Sequence, residues 1–241
     1  MNSSLTFVIP AHNEGDGIFN TILEIDAHCP SNMTVTIFVS EDGSKDNTRQ
    51  EVLRAAEAAE NSNVVLASPA DRLGYSRAVQ RGITECKTDL ICFMDADGQC
   101  DPRDTHALIK EMRSNNCVVV GFRNPRKDGL NRIAYSKLFG LFYRLLGGPH
   151  RVDPSSPFVL AKTNEIKSLG AVNCHLSFGF WWEFQWRISS MGVKVTEVPV
   201  NHRVRAAGVT QVYTFRRLPR IIRTHMKGLI ELRKELKIET K

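Results

Sequence analysis

The stretch Leu90-Ile91-Cys92-Phe93-Met94-Asp95-Ala96-Asp97-Gly98-Gln99 decides the fold. Five apolar residues, too few for a helix, run into two carboxylates and a glycine, which reads as a buried strand ending in a polar turn. Working outward, the same syntax recurs. Leu5–Ile9 precedes His12-Asn13-Glu14, and Val35–Val39 precedes Glu41-Asp42-Gly43-Ser44. Val64–Leu66 and Val118–Val120 add two more strands, and helical spacing over 16–28, 46–60, 75–86 and 103–115 alternates with them. Strands and helices that alternate in this way predict βαβ units and a mostly parallel sheet covered on both faces. Ligands of open α/β sheets bind beyond the carboxyl ends of the strands, where these three polar clusters fall.

Each cluster allows specific chemistry. Asp95 and Asp97 can share one hard cation if the chain turns at Gly98, with Gln99 as a further oxygen ligand. The same residues also suit an Asx turn that caps the next helix. In Glu41–Thr48, Gly43 makes the turn and Asp46 or Asn47 caps the following helix, which leaves Glu41 and Asp42 free to accept hydrogen bonds from a nucleobase or ribose. Arg72-Leu73-Gly74-Tyr75 opens a helix whose N-terminus can attract phosphate. Arg123, Arg126 and Arg132, interleaved with Asp128, are forks for phosphate oxygens or partners in surface ion pairs. Phe178, Phe180, Trp181, Trp182, Phe184 and Trp186 surround Glu183, a carboxylate in aromatic company. Dinucleotide, P-loop, zinc-hydrolase and acyl-transfer chemistry all lack their motifs.

The 241 residues are 42% hydrophobic and 24% charged, which excludes a disordered or fibrous chain. Six cysteines without a CxxC pair read as reduced thiols of a cytoplasmic protein. No run is long enough to span a bilayer, and the N-terminus lacks the pattern of a signal peptide. The net charge of +6 is uneven: residues from Arg203 onward carry eleven basic and three acidic side chains, so residues 1–202 sum to −2. A basic groove for nucleic acid across the whole fold is therefore disfavoured, and a local anionic partner such as lipid headgroups is favoured.

The second half is less regular. A helix over 133–147, a strand at Phe158–Ala161, a helix near 181–191 and a strand through Val193–Val198 are expected. Leu218, Ile222, Met226, Leu229, Leu232 and Leu236 then share one face of a basic helix over 215–237, which either docks on an anionic membrane or packs on the core. With no linker in view, the chain reads as one domain, 1–213, with a basic amphipathic extension, 214–241.

Taken in order, these motifs resemble an inverting family 2 glycosyltransferase of the GT-A fold, in its dolichyl- or polyprenyl-phosphate mannose/glucose synthase branch. The likeness runs through Val8–Glu14, Glu41–Ser44 with Asp46 and Thr48, Asp95–Gln99 with Pro102, and Gly121-Phe122-Arg123. It continues through Asp153, Glu183 and Glu197–Val200 to Arg205 and Gly208. The resemblance implies that Pro10, His12, Glu14, Ser40 and Asp42 hold the nucleoside of a GDP- or UDP-hexose. It places Asp95, Ala96, Asp97 and Gln99 at Mg²⁺ or Mn²⁺ and the diphosphate, with Arg205 reaching phosphate. It implies transfer of the hexose to a polyprenyl phosphate by an enzyme held peripherally on the cytoplasmic face of a membrane. Asp97, Asp153, Glu183, Arg123 and Arg132 are the expected catalytic groups. A phosphate acceptor is already ionised and needs positioning by arginines, whereas a hydroxyl acceptor needs a base, for which Glu183 or Asp153 would serve. Tyr75, Cys100, Pro157 and Thr210-Gln211 depart from the family pattern, where Lys, His, Gly and Ser-Lys are usual.

Overall fold

The computed structural model describes residues 3–69, 71–115, 117–127, 130–176, 179–204 and 218–239, with the side chains of 130–135, 218–221 and 238–239 left aside. Phe178, Asp128 and the whole of 205–217, including Arg205, Gly208, Thr210 and Gln211, lie outside these residues, as does the side chain of Arg132.

Seven strands form one sheet: β1 (Ser3–Ala11), β2 (Met33–Glu41), β3 (Asn63–Ala67), β4 (Leu90–Phe93), β5 (Val118–Arg123), β6 (Val159–Lys162) and β7 (Val195–Val200). Their order is β3-β2-β1-β4-β6-β5-β7. All neighbours are parallel except β6, which runs antiparallel to both β4 and β5. The helices are α1 (Ile18–Ala27), α2 (Thr48–Ala58), α3 (Tyr75–Glu85), α4 (Thr105–Asn115), α5 (Leu130–Leu145), α6 (Thr163–Ile166), α7 (Phe180–Ser190) and α8 (Leu218–Glu239).

The inner strands are buried on both faces because alternate residues feed two cores. Leu5, Phe7 and Ile9 of β1 join Val35, Ile37 and Val39 of β2 beneath α1, α2 and α4. Val8, Ile91, Phe93, Val118 and Val120 point the other way, against α3 and α7. A β-carbon on Gly82 of α3 would fall 2.2 Å from the Val8 side chain, so only glycine lets this helix approach β1 so closely. All six cysteines are free thiols.

A third cluster favours the core-packing alternative for the C-terminal half of the tail stripe. Leu229, Leu232 and Leu236 of α8 are buried against Tyr143 of α5 and Trp182 and Trp186 of α7. Half of the stripe seen in the sequence thus covers the protein's own core. A hydrophobic period identifies an apolar face without naming what covers it. Arg187 of α7 reinforces the contact with a 2.9 Å ion pair to Glu235 of α8. No helix among the described residues is long and apolar enough to cross a membrane.

Candidate active site

Strands β2, β1 and β4 are neighbours and parallel, so their carboxyl ends share one edge of the sheet. The three polar clusters therefore meet there, as their position after the strands requires.

The β1 and β2 ends are stitched together. Asn13, at φ 54°, donates its backbone N–H to Ser44 Oγ at 2.9 Å and accepts from Lys45 N at 2.9 Å through Oδ1. Glu14 N donates to Thr48 Oγ1 at 2.9 Å, and Gly15 N to Asp46 Oδ2 at 3.0 Å. His12 Nδ1 donates to the Asp42 carbonyl at 2.8 Å, which sets its tautomer. Asp46 also accepts from Thr48 N at 3.1 Å, so it supplies the helix cap, whereas the Asn47 side chain makes no capping bond. Pro10 and Ser40 are buried beneath this layer, and Ser40 Oγ is a buried hydroxyl without a hydrogen-bond partner among the described residues. A buried hydroxyl left without a partner is an exception among buried polar groups.

Glu41 is not free, contrary to the sequence reading. β2 runs through Glu41, and its carboxylate is fully buried, bonded to Ser44 N, Ser68 Oγ and Arg49 Nε. Burial alone would raise its pKa, but these donors outweigh burial and hold it at about 2. Asp42 is engaged too: its carboxylate accepts from Leu73 N at 2.7 Å and Gly74 N at 2.9 Å. It thereby fixes the turn into α3.

At the end of β4, Gly98 sits at φ 69°, the turn on which the Asp95-Ala96-Asp97 arrangement depends. Asp97 Oδ1 accepts from Gln99 N at 3.1 Å, an Asx turn, while the following 3₁₀ turn is capped by Asp101 instead. Thr21 Oγ1 holds the Ala96 carbonyl at 3.0 Å. Gln99 is pinned to the returning chain, donating Nε2 to the Arg203 carbonyl at 3.2 Å beside the Cys100–His202 bridge. Sequence reasoning missed the partner of Asp95. Tyr75 Oη donates to Asp95 Oδ1 at 2.9 Å, and Trp181 Nε1 donates to Tyr75 Oη at 2.8 Å. Only the departure at Tyr75 signalled it.

The donor chemistry fits a divalent cation. Beyond burial, the charges of Asp95 and Asp97 push the Tyr75 phenol and the Cys100 thiol up, so the local potential is negative. Among the described residues, no three His, Cys, Asp or Glu side chains form a complete cation cage. Two carboxylates would leave the remaining positions of a hard cation to diphosphate oxygens and water.

The other carboxylates lie deeper. Asp153 is buried and takes Arg123 Nε at 2.6 Å and Arg123 Nη2 at 2.8 Å, with Arg126 at 3.7 Å and Ser155 Oγ at 2.9 Å. Burial raises its pKa, yet the Arg123 guanidinium holds it at about 2. Glu183 is 1% exposed. Its Oε2 accepts from His175 N at 2.8 Å and Leu176 N at 3.0 Å. Its Oε1 accepts from Arg187 Nε at 2.9 Å and Nη2 at 2.7 Å.

Residues 6–179 match the model of glycosyl transferase family 2. The chain belongs to that family. Among its relatives is an undecaprenyl-phosphate 4-deoxy-4-formamido-L-arabinose transferase of Klebsiella pneumoniae, 27% identical over 89% of this chain and 64% of the relative. Another is a dolichyl-phosphate beta-glucosyltransferase of Trichomonas vaginalis, 32% identical over 68% of this chain and 55% of the relative. The chain thus spans less than two thirds of the length of these curated relatives. Its fold is that of glucosyl-3-phosphoglycerate synthase of Mycobacterium tuberculosis, solved with Mn²⁺, UDP-glucose and phosphoglyceric acid. The TM-score is 0.71 at 16% identity, over 96% of this chain and 80% of that one. Family 2 membership and the GT-A fold thus agree with the order of motifs along the chain.

Proposed function

We propose that this family 2 chain moves a hexose from a nucleotide-diphosphate sugar to a polyprenyl phosphate, with inversion at the anomeric carbon. The observation that carries this reading is the meeting of the β1, β2 and β4 ends. There a preformed loop pair lies beside the Ser40 hydroxyl, the groups this reading assigns to the nucleoside, and Asp95 and Asp97, assigned to its diphosphate, follow the neighbouring strand. Relatives named for undecaprenyl and dolichyl phosphate support the acceptor class. In this reading Pro10, His12, Glu14, Ser40 and Asp42 line the nucleoside subsite, and Asp95, Asp97 and Gln99 hold Mg²⁺ or Mn²⁺. Such a cation supplies Lewis-acid neutralisation of the charge that grows on the departing diphosphate.

The carboxylates favour a phosphate acceptor over a hydroxyl. A hydroxyl needs a base near neutrality, yet Asp153 is held at about 2 and both oxygens of Glu183 accept two N–H bonds each. An ionised phosphate needs only orientation, for which Arg126 and Arg132 follow β5 and Arg123 is fixed by Asp153. The test is a thermal-shift series of UDP- and GDP-sugars with and without Mn²⁺, followed by transfer assays on a short polyprenyl phosphate. A donor present at 100 times its Kd should stabilise the fold by about 2.7 kcal/mol. Stabilisation by no nucleotide sugar in the presence of metal would overturn the reading.

The membrane surface falls on α5 rather than on the tail stripe. Leu138, Leu141, Phe142 and Leu145 lie at helical spacing on one face and are 51%, 47%, 39% and 68% exposed, while Tyr143 on the opposite face is buried. The helix carries Arg132, Lys137 and Arg144 and no acidic residue, which suits an anionic bilayer and disfavours a second copy of itself. Leu141→Glu combined with Leu145→Glu should abolish flotation with anionic vesicles without changing the melting temperature. Flotation equal to that of the unaltered chain would remove α5 from the surface.

A further inference from the structure

Tyr75 connects three parts of the molecule that the sequence keeps far apart. It is the first residue of α3, directly after the turn whose backbone amides Asp42 holds. Its hydroxyl lies 2.9 Å from Asp95 Oδ1 and 2.8 Å from Trp181 Nε1. The direction of both bonds is forced. An indole N–H only donates, so the Tyr75 oxygen accepts from Trp181, and the single phenolic proton goes to the carboxylate. The Trp181 ring is itself wedged edge-on against Phe93, Phe180 and Phe184, with centroids 5.1, 5.0 and 5.4 Å away. Phe93 is the last residue of β4, two before Asp95. The aromatic core therefore fixes the indole, the indole fixes the phenol, and the phenol fixes one oxygen of Asp95.

We infer that Tyr75, held by Trp181, is a positioning residue that orients the Asp95 carboxylate for the divalent cation. The inference rests on the reading of Asp95 and Asp97 as the cation site. Partners that hydrogen-bond to a metal ligand orient it and set its donor strength, and their loss typically weakens metal binding about 10- to 100-fold. The relay also gives the nucleoside and cation subsites a shared support, since Asp42 grips the turn and Tyr75 follows it in the chain.

Tyr75→Phe deletes the hydroxyl alone. Mn²⁺ binding to the full chain is followed by the electron paramagnetic resonance of free Mn²⁺, with UDP and GDP each present in excess. The variant should bind Mn²⁺ about 10- to 100-fold more weakly. Its metal-free affinity for the nucleotide should stay unchanged, its melting temperature should fall by no more than the loss of the Trp181 and Asp95 hydrogen bonds entails, and its turnover should recover at saturating Mn²⁺. Trp181→Phe, which removes the donor to Tyr75 together with part of the ring packed on Phe93, Phe180 and Phe184, should shift Mn²⁺ affinity in the same direction by a smaller factor. Mn²⁺ affinity within twofold of the unaltered chain in both variants would overturn the inference. Absence of Mn²⁺ binding by the unaltered chain would instead overturn the cation site on which it rests.

Discussion

Asp97→Asn is expected to lower kcat/KM for sugar transfer by about 10²–10³-fold, the scale of losing one group aimed at developing charge. The turn at Gly98 should not register the change. Asp97 uses Oδ1 to accept from Gln99 N at 3.1 Å, and an asparagine oxygen accepts the same bond, so the turn at Gly98 survives. What is lost is one of two negative charges offered to a hard cation, and an amide oxygen is a weaker ligand for it. The decisive measurement pairs initial rates across a Mn²⁺ titration with urea unfolding of the same preparation. Rates unchanged at every metal concentration would remove Asp97 from the cation site.

Glu183→Ala should destabilise the fold by about 3–5 kcal/mol in urea unfolding. The substitution strands Arg187, buried beside α8, and strips His175 N and Leu176 N of their acceptor. Glu235 would remain as the partner of Arg187 on one side only. This outcome also separates two roles for Glu183. A structural carboxylate loses stability while the folded fraction keeps its turnover at low temperature. A catalytic base would show the reverse, with stability intact and turnover lost by about 10²–10⁴-fold.

Much of the architecture is legible in the sequence because β-branched runs and helical spacing are local. Leu5–Ile9, Val35–Val39 and Leu90–Met94 fall on β1, β2 and β4, and the polar clusters follow them as expected. The failures share one cause, contacts between residues distant along the chain. Glu41 follows an apolar run and a serine, where a carboxylate reads as exposed, yet β2 extends through it, and its oxygen meets Ser68, twenty-seven residues away. The apolar stripe of the tail is visible in the sequence, whereas Trp182 and Trp186, which receive Leu229, Leu232 and Leu236, lie in another helix. The Asp95 partner, Tyr75, is twenty residues upstream and is itself held by a tryptophan 106 residues further on, a pairing that no periodicity encodes.

The cross-stitching of the β1 and β2 loops has a thermodynamic consequence. Among the described residues, five side-chain-mediated bonds, from His12, Asn13, Glu14, Gly15 and Lys45, join the two loops ahead of any ligand. The conformational entropy of ordering those loops is therefore met during folding rather than during binding. In the proposed function a nucleoside entering this end would encounter a pre-ordered surface, so the heat-capacity change of its binding should follow the apolar area that the base covers, with little contribution from coupled folding. Substitutions in the stitches would convert a lock into a surface that must order itself, weakening nucleoside affinity while the groups around Asp95 stay in place.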